Sequence, residues 1–148
     1  MYHKIKFIAG TLFLVTTITT LNLFCVDGPG TIGPVFTSDS LMTLTPDNID
    51  SAIALPYNLA LIEFFSPTCG ACIALSPVID TLAQTLPKDI LVGAINVSSE
   101  PEVRSRFTIE WYPTVIFFKS GAEIHRTIGS HNVEFFQNII DSLTRPEP

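Results

Sequence analysis

Phe64-Phe65-Ser66-Pro67-Thr68-Cys69-Gly70-Ala71-Cys72 is the stretch on which the reading of this chain turns. Two thiols three residues apart, directly after an apolar run, can exchange between dithiol and disulfide within one helical turn. Attack on a disulfide and resolution of the mixed disulfide then belong to one site. The spacing alone is a weak signal, because it also makes half of a zinc site. Zinc needs two further ligands, and His125 and His131 are scattered, so no metal site is expected.

Working outward, Leu59-Ala60-Leu61-Ile62-Glu63-Phe64-Phe65 is a continuous apolar run of strand length with one carboxylate inside it, and it predicts a buried strand. After Cys69 the apolar residues fall at helical spacing: Cys72, Ile73, Val78, Ile79, Leu82 and Leu86. Cys69 is therefore expected at a helix N-terminus, where unpaired amides and the helix dipole favour a thiolate. Pro77 lies inside this pattern and predicts a kink. Residues 90 to 97 read as a strand, and Ser99-Glu100-Pro101-Glu102 as the capped start of a helix reaching Phe107. Trp111-Tyr112-Pro113-Thr114 opens a further apolar run, Val115-Ile116-Phe117-Phe118. Residues 124 to 128 return beside it across Ser120-Gly121. Ser130 is the expected cap of a last helix bearing Val133, Phe136, Ile139, Ile140 and Leu143. Upstream, Asp47-Asn48-Ile49-Asp50 starts a short helix with Ile49, Ile53 and Ala54 as its apolar face. Met42 and Phe117, Phe118, Phe135 and Phe136 are expected in the core.

These features together resemble the thioredoxin superfamily, and within it the protein disulfide isomerase-like domains. The resemblance covers residues 43 to 144. It rests on the Glu63-Phe64-Phe65-Ser66-Pro67 lead-in, the paired cysteines, Pro77 five residues later, Tyr112-Pro113-Thr114, and Phe118-Lys119-Ser120-Gly121-Ala122-Glu123. It implies an α/β thioredoxin fold: a central mixed β-sheet flanked by helices, in a single domain behind an N-terminal signal or anchor. By position, Cys69 looks like the exposed attacking thiol and Cys72 like the buried resolving thiol. Glu63 matches the family's buried acid, which relays a proton to and from the resolving cysteine. In an apolar layer its pKa should be raised. Pro113 matches the cis-proline that lies against the disulfide. With Tyr112, Trp111 and Thr68 it is expected to contact substrate. No cofactor is implied beyond the redox-active Cys69–Cys72 pair itself.

Departures from the family pattern also inform. Thr68 stands where the family usually has Trp, so that flank is smaller and more polar. The dipeptide Gly70-Ala71 carries neither the histidine of strongly oxidising members nor the proline of reducing thioredoxins. Glu110 stands where an arginine is common, and an acid there opposes a thiolate. Ala94 replaces a lysine that often neighbours the buried acid. Trp111 occupies a position that is commonly glycine, where it either replaces apolar surface lost at Thr68 or packs on its own strand. The sum implies a middling to reducing potential.

Composition sets the frame. The 148 residues are 47% hydrophobic, enough for one core. A formal net charge of −6, spread rather than blocked and with no basic stripe, excludes nucleic acid as a partner. Lys4 and Lys6 precede an uncharged run through Val26, so residues 1–26 read as a cleaved signal peptide or a signal anchor. A lipoprotein reading at Cys25 meets a bulky Phe24. Each reading places the domain on the extracytoplasmic side, periplasmic in a bacterial setting. It is soluble if cleaved and anchored by residues 7–26 if not. Residues 27–42 read as a tether that contributes an edge strand, and residues 145–148 as a tail.

Two function classes remain in view. One is an exported thiol–disulfide oxidoreductase, a reductase or isomerase acting on protein cysteines and reloaded by a membrane or soluble redox partner. The other is a chaperone-like module that holds extended chains in the Tyr112-Pro113 groove with little redox turnover.

Overall fold

Residues 59 to 64 are buried on both faces of a sheet, which explains why their sequence shows no polar alternation. The computed structural model describes residues 36–145. The expected signal or anchor, the tether up to residue 35 and residues 146–148 lie outside them. The strands are β1 (Met42–Thr43), β2 (Leu59–Phe65), β3 (Ile90–Asn96), β4 (Thr114–Lys119) and β5 (Ala122–Ile128). The helices are α1 (Ile49–Ala54), α2 (Gly70–Thr85), α3 (Pro101–Arg106) and α4 (Val133–Thr144). The sheet order is β1-β3-β2-β4-β5. β3 pairs in parallel with β1 and β2, whereas β2–β4 and β4–β5 are antiparallel. The sheet is thus mixed, as the resemblance implied.

Alternation along β2 divides the core in two. Ala60, Ile62 and Phe64 pack with Ile49, Ile53, Val103 and Phe107 on the α1 and α3 side. Leu59 and Leu61 pack with Leu75, Ile79, Phe136 and Ile140 on the α2 and α4 side. β1 can approach β3 closely because residue 93 is glycine. A Cβ there would lie 2.9 Å from the Leu44 side chain and 3.2 Å from the Met42 carbonyl oxygen. The β4–β5 hairpin turns on Ser120 and Gly121, both at positive φ (51° and 81°), as a two-residue turn of matching twist requires.

Pro77 sits inside α2, which runs unbroken from Gly70 to Thr85. Proline offers no N–H to the Ile73 carbonyl. The Ser76 hydroxyl donates to that oxygen instead, at 3.0 Å.

Three local expectations are corrected. The inward face of α1 is Ile49, Ala52 and Ile53, and Ala54 is exposed, because the i, i+3, i+4 spacing counted from Ile49 selects residues 52 and 53. Ser99 does not cap α3. The proline takes the first helical position, so Glu100 falls at the cap and makes no side-chain cap bond. Asn132, not Ser130, caps α4 by accepting the Phe135 N–H at 2.9 Å. The burial of Phe136 sets that start, one turn beyond Asn132. Of the residues expected in the core, Phe117, Phe118 and Phe136 are buried, while Phe135 and Met42 are half-buried.

Residues 36–41 lie against the domain rather than trailing from it. The buried Asp80 of α2 accepts from Thr37 N–H (2.6 Å), Thr37 Oγ1 (2.8 Å) and Ser38 N–H (3.3 Å). The Phe36 ring meets that of Phe65 at 5.4 Å. Removing Asp80 leaves two amides unpaired and unpins this segment. Asp80→Ala is expected to cost about 1–3 kcal/mol, and Asp80→Asn less. Urea denaturation checks this: the midpoint should fall, and an unmoved midpoint would mean that the segment adds nothing to stability.

Candidate active site

Cys69 is the N-cap of α2, with extended backbone (φ −86°, ψ 113°). Its sulfur accepts the Cys72 N–H at 3.4 Å and lies 3.5 Å from the Tyr112 carbonyl oxygen, to which the thiol donates. The Cys69 N–H is held by the Ser66 carbonyl at 3.1 Å. The Cys72 N–H in the first turn of the helix is shared between the Cys69 carbonyl, at 3.0 Å, and the Cys69 sulfur. Cys69 is half-buried, Cys72 is fully buried, and both are thiols. Gly70 and Ala71 face solvent, and no atom lies within 4 Å of where a Cβ on Gly70 would sit.

Glu63 lies in β2 and shares a face with Leu59 and Leu61. Its register partners are Ala94 in β3 and Val115 in β4. It is fully buried, and neither carboxylate oxygen has a hydrogen-bond partner. Burial alone pushes its pKa up to about 8. With a methyl group at 94 and a valine at 115, neither strand neighbour offers a cation.

Burial likewise pushes the Cys72 thiol up to about 12. The hydrogen bond with Cys69 and the negative charges of Cys69 and Glu63 add to that rise, while a backbone hydrogen bond from Ser66 opposes it. A charge on either neighbour thus keeps the Cys72 proton in place.

The Tyr112–Pro113 peptide bond is cis. Gly129 N–H donates to the Pro113 carbonyl at 2.8 Å and Thr114 Oγ1 to the Trp111 carbonyl at 2.7 Å, so the turn is held at both ends. Tyr112 is half-buried, with the Arg104 guanidinium 5.5 Å from its ring centre. Trp111 is 65% exposed, so it does not pack down on its own strand. Thr68 is exposed, its hydroxyl 3.3 Å from that of Ser66. The structure thus brings Cys69, Cys72, Gly70, Ala71 and the Tyr112-Pro113 turn to the C-terminal end of β2. Pro77 is exposed more than a turn beyond Cys72 and has only a helical role. Ile128, 52% exposed, shares a depression with Trp111. Sequence reading placed Ile128 only in the hairpin, because nothing in the pattern tells an exposed edge residue from a buried one. Among the described residues no cluster of His, Cys, Asp and Glu suits a metal ion. His131 instead stacks on Phe135 at 3.8 Å.

A mixed five-stranded sheet with paired thiols at a helix start and a cis-proline beside them defines a thioredoxin-fold dithiol protein. The family model described as Thioredoxin matches residues 40–142. The chain is 35% identical over 98 residues to a thioredoxin of Chlamydia pneumoniae, spanning 66% of this chain and 93% of that one. It is 31% identical over 103 residues to the chloroplastic M-type thioredoxin of Zea mays, spanning 70% and 62%. Among solved structures, a point-mutant thioredoxin of Halobacterium salinarum shares the fold with a TM-score of 0.67 at 23% identity, covering 77% of this chain and all of that one. The chain belongs to the thioredoxin family. It is a thiol–disulfide oxidoreductase of that family.

A buried carboxyl with a folded pKa near 8 against an ordinary 4.5 binds its proton more tightly in the folded state. That contribution to stability is fully present below about pH 4.5 and is lost as pH rises through about 8. Glu63→Gln removes the loss. Its Tm should match the wild type at pH 4 and exceed it by at least about 5 °C at pH 9. Parallel Tm curves for the two proteins would contradict a buried, uncompensated Glu63.

Proposed function

We propose that this protein is an exported reductase of protein disulfides, with Cys69 as the attacking and Cys72 as the resolving thiol. The observation that carries the reading is the asymmetry of the pair. One sulfur is reachable, at a helix start and beside the Tyr112 carbonyl; the other is sealed above Glu63.

In this reading the Cys69 thiolate attacks one sulfur of a substrate disulfide. The Cys69–substrate bond forms, the substrate S–S bond breaks, and the departing thiolate takes a proton from solvent. Cys69 then no longer carries the charge and hydrogen bond that held the Cys72 proton on. Glu63 accepts that proton in its ionised form, which with a pKa of about 8 is the minority form near neutral pH and grows as pH rises. The Cys72 thiolate attacks Cys69 Sγ, the mixed bond breaks, and the second substrate sulfur leaves as a thiolate that takes a proton from solvent as Glu63 gives its proton up. The substrate gains two electrons and two protons, and the protein is left as the Cys69–Cys72 disulfide. A membrane or soluble redox partner must return two electrons before the next cycle. Tyr112, Pro113, Trp111 and Thr68 line the approach to Cys69 and hold the extended substrate.

Export rests on Lys4, Lys6 and the uncharged run to Val26, as signal or anchor. No helix of the described residues is long and apolar enough to cross a membrane. Reduction rather than isomerisation rests on weak support for a Cys69 thiolate. Gly70-Ala71 supplies no cation, and Glu110 is an acid two residues before Tyr112.

Replacing Cys72 with Ala should trap covalent adducts between Cys69 and disulfide substrates, seen as thiol-sensitive bands on non-reducing gels. The double change at Cys69 and Cys72 should trap none. A protein that only holds extended chains would bind them equally in all three forms. The reduction potential of the Cys69–Cys72 pair in the full chain, titrated against dithiothreitol, should lie at about −250 mV or lower. A value above about −200 mV would assign isomerase or oxidase work instead.

A further inference from the structure

In the proposed cycle Glu63 takes up a proton and must release it again, yet it is fully buried and its oxygens have no hydrogen-bond partner. Its neighbours decide where that proton can leave. Leu61, Val115 and Cys72 close three sides: all are fully buried, and none lines a main hollow among the described residues. The other two neighbours differ. Ala94, in register with Glu63 across β3, and Phe65, two residues along the same face of β2, both line a hollow of about 240 Å³. Thr43 of β1 lines it too and is in register with Ala94. Thr43, Ala94 and Glu63 therefore form one row on one face of the sheet, running from the hollow to the acid. Only a methyl group stands at the middle of that row.

The outer wall of the hollow is Phe36 and Leu41. Both belong to the segment that Asp80 holds on α2 through Thr37 and Ser38, and the Phe36 ring is further fixed on Phe65. Phe36, Thr37 and Ser38 precede the residues 40–142 that match the family model, so this part of the wall is a feature of this chain. A hollow of this size has room for several waters. Cys72 from α2 and Glu100, which lines the hollow, are the titratable groups that face the path. The hollow lies on the β1 and β3 side of β2, whereas the Tyr112-Pro113 turn leads into β4 on the other. A substrate held at the turn leaves it open.

We propose that this hollow is the proton port of Glu63, floored by Ala94 and walled by the Asp80-held segment at Phe36. Once Cys72 has given up its proton, the Glu63 O–H bond breaks toward a water in the hollow. The proton reaches solvent there, while substrate still covers the thiols. The inference rests on the reductase reading, in which Glu63 is the proton acceptor, and adds to it a route. Ala94 and Phe36 are positioning residues: they touch no reacting atom and act by admitting water to the acid.

The test reads the carboxyl itself rather than turnover. With a pKa of about 8, Glu63 is protonated in the reduced full-length protein at about pH 6. Its carboxyl band in the infrared, isolated by subtracting the spectrum of Glu63→Gln, shifts as O–H becomes O–D after rapid mixing into D2O. Ala94→Leu fills the floor of the hollow, and Thr43→Leu, at an exposed position, covers its mouth. Each should slow the exchange at least about tenfold, because the carboxyl must then wait for local opening of the fold. A merely weakened fold would exchange faster, so slowing cannot come from lost stability. Phe36→Ala widens the hollow and should exchange at least as fast as the wild type. Val115→Ile adds bulk on the closed side and should leave the rate unchanged. If Ala94→Leu does not fold, Thr43→Leu decides. Wild-type or faster exchange in the filled variants, equal slowing by Val115→Ile, or slowing by Phe36→Ala would each overturn the proposal. The reductase reading falls on a different result, the failure of Cys72→Ala to trap substrate on Cys69.

Discussion

A strand hydrogen-bonded along both edges and covered on both faces has no alternative place to go, and β2 is that strand here. β3 holds it on one edge and β4 on the other, across nearly its whole length. Its alternating side chains enter both halves of the core. The segment leaving its C-terminal end, Ser66-Pro67-Thr68-Cys69, is therefore aimed with little freedom. Glu63, within the strand, is sealed from water by the same packing. One constraint delivers both the Cys69 sulfur and the buried acid.

That burial carries a cost, and magnitudes decide whether the strand can bear it. A buried polar group without a partner costs about 1–3 kcal/mol, and more when charged. A fully buried Leu, Ile or Phe contributes about 1.5–3 kcal/mol. Leu59, Leu61, Ile62 and Phe64 are all fully buried in the same strand, so the apolar gain exceeds the cost of a neutral Glu63. The balance tightens as the acid ionises. The site thus holds a proton near neutral pH because the strand is stable enough to keep an unsatisfied carboxyl in place.

Much of this was legible in the sequence because the deciding signals are long or rigid. The apolar run of β2 and the helical period after Cys69 each extend over several residues, and both elements form where expected. Ser120-Gly121 names its own turn. Tyr112-Pro113 lands beside the thiols, as the resemblance implied. Short, interchangeable signals were less informative. Ser130 and Asn132 are both competent caps, and only the burial of Phe136 chooses between them. Asp80 looks like an ordinary helix-surface acid, since the Thr37 and Ser38 groups it binds lie more than forty residues away in sequence. Ile128 is apolar and would be assigned inward by pattern, yet it faces solvent, as does Trp111, for which the sequence left surface exposure and packing both open. The fold and the paired thiols follow from local chemistry, whereas the exposed apolar surface depends on which groups the edge of the sheet leaves uncovered.

The absence of a cation at the strand positions beside Glu63 links the two halves of the site. Ala94 stands in register with Glu63 and brings no charge to offset. A negative charge on Glu63 therefore raises the Cys72 pKa, and a charge on Cys69 raises it further. When Cys69 is a thiolate, the Cys72 proton is held; when Cys69 is consumed in a mixed disulfide, that restraint is lifted. In the proposed cycle this orders the steps, because the Cys72 thiol becomes easiest to ionise only after Cys69 has reacted. A cation at position 94 would loosen that order by offsetting the Glu63 charge that otherwise helps to hold the Cys72 proton. Its absence makes proton release from Cys72 depend more strictly on the state of Cys69.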